Sequence, residues 1–328
     1  MKSNKSENNM FIDFFKNPPP DSMRALYFAF LKWFFIAIIC GAIVGCVGAL
    51  FGIALDLAGN LRQGHNLFIY FLPIAGLPIV LLYQITKSAE DKGTNGIILA
   101  ARGEEKVKLV LAPLIFISTF LTHLFGGSAG REGAALQIGG SLVSPFRKLF
   151  RFDDKDTSIL IMCGMSAGFS ALFGTPVAAA IFAVEVTIVG AVQYSALVPC
   201  MISSVTASLI SKTVFGTAAE SFHVVGIPEF SAKFIPQMLA VVIIAVAAAI
   251  VSDIFCWILH KSDSMFKKYI SNPYFRIMAG GALLLILTIL LNTNDYNGTG
   301  IQVIEHAFEG NSNPFAFALK MLFTAVTL

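Results

Sequence analysis

Gly126-Gly127-Ser128-Ala129-Gly130-Arg131-Glu132-Gly133 is a polar, glycine-rich break between two apolar stretches, 107–125 before it and 132–150 after it. The setting of that break decides the fold. The 328 residues are 56% hydrophobic and 13% charged, more apolar surface than a soluble core of this size hides. Several stretches reach the roughly 20 apolar residues that cross a hydrocarbon core, so the chain is expected to be an all-α, multi-pass membrane protein with eight to ten membrane segments, some of them short.

Apolar stretches fall at 26–61, 66–85, 107–125, 132–150, 158–172, 176–189, 194–215, 234–259, 276–291 and 316–328. The first is too long for a perpendicular span and carries Gly41, Gly45, Gly48 and Gly52 at three- and four-residue spacings, the pattern of a close-packing face. Two short segments, 95–102 and one headed by Thr299-Gly300-Ile301-Gln302, cannot cross. Pro176 suits a fresh helix start after the break at 173–176.

The order long helix, span, short helix, span occurs twice. Residues 1–25 form a polar N-terminal lead, and 26–328 form one transmembrane domain, with a first repeat at about 26–215 and an incomplete second at about 234–328. Repeated halves with interrupted helices in corresponding places mark transporters whose ion site lies near the midplane. The second repeat reaches Leu328 where another polar loop is expected, so its C-terminal part is expected to be missing.

Composition also excludes partners and chemistries. A net charge of +3 spread over loops is no nucleic-acid footprint. Cys40, Cys46, Cys163, Cys200 and Cys256 stand singly in apolar runs, without metal-ligand spacing, and read as small hydrophobes. No cofactor, no metal and no nucleophile with its base are visible, so an enzyme is not expected. Lysines at 2, 5 and 16 give a weak vote for a cytoplasmic N-terminus.

Open backbone in a bilayer is tolerated only where protein or a watery cavity satisfies it. Glycines permit close backbone approach, and the helix after the break points unpaired N–H groups and a positive dipole end at it. The loop is therefore expected to cradle an anion. Phosphate-loop motifs are absent: no GK[ST] follows the glycines, and Ser128 stands where GxGxxG needs glycine. Glu132 at the mouth is expected to gate and carry protons, because an ionisable group at membrane depth is costly and usually functional. Pairing with Arg131 simply to hold the loop is the structural alternative. Glu185, also in an apolar run, is either a proton relay or a buried structural carboxylate. His123 reads as a core histidine bonded across helices in preference to a relay.

The segments GGSAGREGAALQIGG (126–140), GMSAGFSALFGTPV (164–177) and AAIFAVEV (179–186) together resemble the CLC family of chloride channels and anion/proton antiporters. The resemblance runs in order from about Leu26 onward. It implies an inverted-repeat bundle in the cell membrane, a homodimer with one anion path per subunit, and helix N-termini converging on the ion. Glu132 matches the gating glutamate of the family's GREGP motif, with Ala134 in place of proline. The GSGIP motif falls on Thr94-Asn95-Gly96-Ile97-Ile98, so Asn95 replaces the chloride-selective serine, and the internal proton-transfer glutamate falls on Val186. Both departures resemble the fluoride/proton antiporter branch.

On this resemblance Asn95, Gly96, Ile97, Gly130, Arg131, Gly133 and Ala134 contact the anion, and Val186 and Thr187 line the inner side. The implied function is export of fluoride against protons, with a chloride/proton antiporter or a passive chloride channel as alternatives. The family's central tyrosine and second loop fall beyond Leu328.

Overall fold

The computed structural model describes residues 23–187, 190, 193–217, 234–310 and 313–327. The polar lead over 1–22, the loop over 218–233 and the end of the last segment at Leu328 lie outside the described residues. Among the described residues the chain is helical and has no strand. Within these residues six helices are long and apolar enough to cross a membrane, and three more apolar helices are shorter. Met23–Gly64, Leu72–Ile85, Thr94–Ala101 and Leu111–Leu124 recur in order as Phe234–Tyr269, Pro273–Leu291, Ile301–Phe308 and Ala316–Thr327.

Several helix ends differ from the expected ones, each for a local reason. The stretch 66–85 divides into a 3-10 helix, Asn66–Phe71, and an α-helix, Leu72–Ile85, with Pro73 in its first turn. The next span starts at Leu111, since Pro113 is tolerated only in a first turn. The helix from Glu132 ends at Val143 instead of continuing to 150, because the Pro145 ring would clash with the carbonyl four residues back. The helix read from 158 starts earlier, as Asp154–Phe173, because Asp153 caps it: its carboxylate accepts from Asp156 N at 2.7 Å. Pro176–Glu185 stops short of 189, with Val186 as its C-cap. Phe234–Tyr269 runs ten residues past 259, aided by the Lys267–Asp263 pair at 2.7 Å and by lysines in its last turn. Asn272 caps Pro273–Leu291, moving its start ahead of Arg276.

The chain forms two compact units, which do not follow the repeat boundary. One comprises Met1–Gly52, Asp91–Pro113 and Glu132–Ala219. Its helices Asp154–Phe173 and Tyr194–Phe215 are joined by buried serines: Ser170 Oγ donates to Ser204 O at 2.8 Å, Ser203 Oγ to Cys163 O at 3.1 Å and Ser211 Oγ to Ala171 O at 2.7 Å. The small-residue face of the first helix packs here as expected. A methyl group on Gly41 would lie 2.4 Å from Ser203 O, and one on Gly48 would lie 2.7 Å from Ala171 Cβ.

The other unit comprises Ile53–Glu90, Leu114–Arg131 and Glu220–Leu328. Leu72–Ile85 and Pro273–Leu291 touch through Gly76 and Gly281, where added methyls would meet Ile277 Cγ1 at 2.4 Å and Pro73 Cα at 2.8 Å. Leu72, Leu284, Tyr296, Phe323 and Val326 form its apolar core. The apolar Phe234–Tyr269 helix is largely exposed, Ile243 at 68% and Trp257 at 65%, as a surface facing hydrocarbon would be.

Candidate anion site

Two short helices bring their N-termini together in the first unit. Thr94–Ala101 follows Gly93, whose φ of +61° makes the turn into it; Glu132–Val143 follows the glycine loop. They meet where Gly133 lacks a side chain: a methyl there would lie 2.6 Å from Thr94 Oγ1. Gln137 Nε2 seals the contact, donating to Thr94 Oγ1 and to Gly133 O, both at 3.2 Å. Further along, Gly140 admits Ile97, whose Cδ1 would stand 3.1 Å from an added methyl. Gly96 N already donates to Gly93 O at 3.0 Å; the remaining first-turn amides at the two helix starts and the positive dipole ends beside them make an arrangement that favours an anion.

The C-terminal end of Thr94–Ala101 is fixed as well. Arg102 Nε donates to Thr187 O, and Ser158 Oγ donates to Ala101 O. Thr187 is buried and its hydroxyl donates back to Val184 O at 2.9 Å. Val186 packs half-buried against the core around Met162 and Cys163. Thus Thr187 braces the short helix through its carbonyl.

Glu132 is the first residue of its helix and is exposed; among the described residues no ion pair joins it to Arg131. Arg131 is buried and engaged in a contact of its own. Asn95 is exposed, and Gly96, Ile97 and Ala134 are buried. Glu185 ends its helix and is exposed on the single chain; a carboxylate at a helix C-terminus gains nothing from the dipole.

The first half of the glycine loop belongs to the second unit and is already satisfied there. Asn297 Nδ2 donates to Gly126 O at 2.8 Å, Gly298 N to Gly127 O at 3.1 Å, and Ser128 N to Thr327 Oγ1 at 3.0 Å. Lys320 Nζ donates to Ser128 Oγ at 2.8 Å, Tyr296 O at 3.1 Å and Gly298 O at 2.6 Å. His123 is buried, with Nδ1 2.8 Å from Thr119 O on its own helix and Nε2 3.2 Å from Ala129 O in the loop. A neutral imidazole donates to one of the two carbonyls. In the stretch 126–133 the carbonyls of Gly126 and Gly127 and the amide of Ser128 are therefore already engaged. Gln137, Asn297 and Lys320 escaped the sequence reading, and Thr94 entered it only as the head of a motif; Lys320, an ionisable residue within an apolar helix, carried a signal that could have found it.

These features define a polytopic helical membrane protein built from a repeated pattern, with broken helices meeting at an anion-friendly junction. A family model described as voltage gated chloride channel matches residues 75–328, and the chain belongs to this, the CLC, family. It is 34% identical over 308 residues to a chloride/fluoride channel protein of Pseudomonas syringae pv. tomato, covering 90% of this chain and 66% of that one. It is 25% identical to the H(+)/Cl(-) exchange transporter ClcA of Salmonella schwarzengrund, over 84% of this chain and 62% of the other. The chain thus spans about two thirds of the length of these curated relatives. Among solved structures, a CLC-type fluoride/proton antiporter superposes with a TM-score of 0.84 at 32% identity, covering 94% of this chain and 76% of that one. A slow cyanobacterial Cl-/H+ antiporter shares the fold, with a TM-score of 0.72 at 21% identity over 90% of this chain and 73% of the other.

Proposed function

We propose that the protein exchanges a small anion, fluoride, for protons across the plasma membrane, and that it does not act as an enzyme. The observation that carries this reading is the meeting of two helix N-termini at Gly133 and Thr94, with a carboxylate, Glu132, at the head of one of them. Amide donors at the starts of two helices supply most of the anion site, so the ion is held weakly enough to leave. An ionised Glu132 competes with the anion for those amides; a protonated one yields them, and this exclusivity couples the two fluxes. In this reading Asn95, Gly96, Ile97, Gly130, Arg131, Gly133 and Ala134 surround the ion, with Val186 and Thr187 beneath.

The choice of fluoride rests on Asn95 and Val186, the two departures from the chloride pattern, and is supported by the fluoride-linked descriptions of the relatives at 34% and 32% identity. Fluoride is the halide that accepts hydrogen bonds most strongly, and an amide offers two donors where a hydroxyl offers one. Chloride/proton exchange is the second reading, favoured by the match to ClcA. The protein acts as a homodimer, a reading supported by the exposed apolar residues Val177, Ile181, Val198 and Leu209 on Pro176–Glu185 and Tyr194–Phe215.

The test loads liposomes carrying the full-length protein with fluoride or chloride and records anion efflux together with internal pH. Fluoride efflux that drives protons inward supports the reading. Chloride moving as readily as fluoride removes the choice of ion, and anion flux unable to move protons uphill replaces exchange with a channel.

A further inference from the structure

The second unit contains a cation whose surroundings the junction at Glu132 does not explain. Arg62, in the last turn of Met23–Gly64, has its Nε sealed from solvent and without a hydrogen-bond partner. A cation in a last turn suits the helix dipole, but that effect needs only an exposed charge. A buried guanidinium N–H left unpaired is costly, and such a group calls for an acceptor.

The walls around Arg62 are made of two glycines with positive φ, Gly126 at +90° and Gly298 at +68°. A methyl on Gly126 would lie 3.5 Å from Arg62 Cδ, and one on Gly298 would lie 2.9 Å from Arg62 Nη2. Gly126 thus keeps backbone against the end of the Arg62 stem and Gly298 keeps it against the guanidinium, where a side chain would intrude. The Lys320 ammonium grips the other side of Gly298, donating to its carbonyl at 2.6 Å, so two positive charges share one short turn. Asn297 Nδ2, donating to Gly126 O at 2.8 Å, locks the two glycine segments together.

We propose that the Arg62 guanidinium, enclosed by Gly126 and Gly298 beside Lys320, is a docking site for a small monovalent anion, separate from the helix junction at Gly133 and Thr94. A halide suits the site because it needs only one or two N–H donors and is the least bulky anion, whereas a phosphoester or a peptide carboxylate brings bulk that the close glycine walls exclude. The site itself stands on the geometry around Arg62; its role as a holding point for transported anion rests on the proposed function.

Two measurements separate these. Crystals of the purified protein grown in bromide are expected to show an anomalous peak at hydrogen-bond distance from Arg62 Nε, which Arg62→Gln removes while the unfolding temperature in detergent is retained. In liposomes the same variant is expected to raise the half-saturating fluoride concentration about tenfold at low ionic strength with the maximal rate kept, the difference fading at high salt. No bromide at Arg62, or a lowered maximal rate with unchanged half-saturation, overturns the proposal. Bromide at Arg62 in a protein that moves no anion keeps the site and removes the transport reading.

Discussion

Gly133 and Thr94 stand so close that a single methyl at position 133 would come within 2.6 Å of the Thr94 hydroxyl oxygen. That contact joins the heads of two helices whose sequences are separated by a full apolar span. Replacing Gly133 with Ala therefore overpacks the junction, at a cost of about 1–3 kcal/mol in the unfolding free energy. Thr94→Ala removes the obstructing oxygen, so the double variant is expected to recover most of the loss in thermal unfolding. Full stability of Gly133→Ala alone, or no recovery in the double variant, would show that the contact does not hold the junction.

Glu132 heads its helix free of any ion pair with Arg131 among the described residues. Glu132→Gln keeps the shape and removes the ionisable group. Proton movement in the liposome assay is expected to fall to background while the protein stays folded. Persisting coupled proton flux would remove Glu132 from the mechanism.

Asn95 is exposed at the second position of Thr94–Ala101, and in the proposed function its amide meets the ion. Asn95→Ser is expected to shift the ratio of fluoride to chloride flux toward chloride by about tenfold, the equivalent of one hydrogen bond. An unchanged ratio in a competition assay would place selectivity elsewhere.

Asp91, in the loop before Thr94–Ala101, gives a pH dependence. Burial pushes its carboxyl up from the ordinary value of 3.8; the Gly93 amide opposes this, the Glu105 carboxylate adds to it, and the Lys92 amide opposes it again. Because the folded protein holds this proton more tightly than the unfolded chain, the contribution to stability is complete below the unfolded value and is lost as pH rises through the raised one. Asp91→Asn cannot ionise and keeps an acceptor for the amides. Its unfolding temperature is expected to match the wild type in acid and to exceed it increasingly toward neutral pH. A variant less stable at every pH would mean that the carboxylate's hydrogen bonds outweigh its desolvation.

The sequence by itself determined the bilayer as solvent, the order of long, short and broken helices, and the position of the glycine break, because hydropathy and the Gly and Pro punctuation act over a few residues. The short helix read at 95–102 lies at Thr94–Ala101, and the small-residue face around Gly41 and Gly48 packs against Ser203 and Ala171. Local rules also explain the misplaced ends, since Asp153 and Asn272 were caps whose geometry spacing alone did not reveal. Tertiary structure decided which polar groups are already satisfied. The loop's first half is closed by Asn297, Gly298, Lys320 and Thr327, more than a hundred residues away in the chain, and Thr187 turns its hydroxyl to Val184. Hydrogen bonds between distant segments leave no periodic trace in a sequence. Only the fold therefore separates the helix starts that meet at Gly133 and Thr94 from the amides at Gly127 and Ser128, already in use.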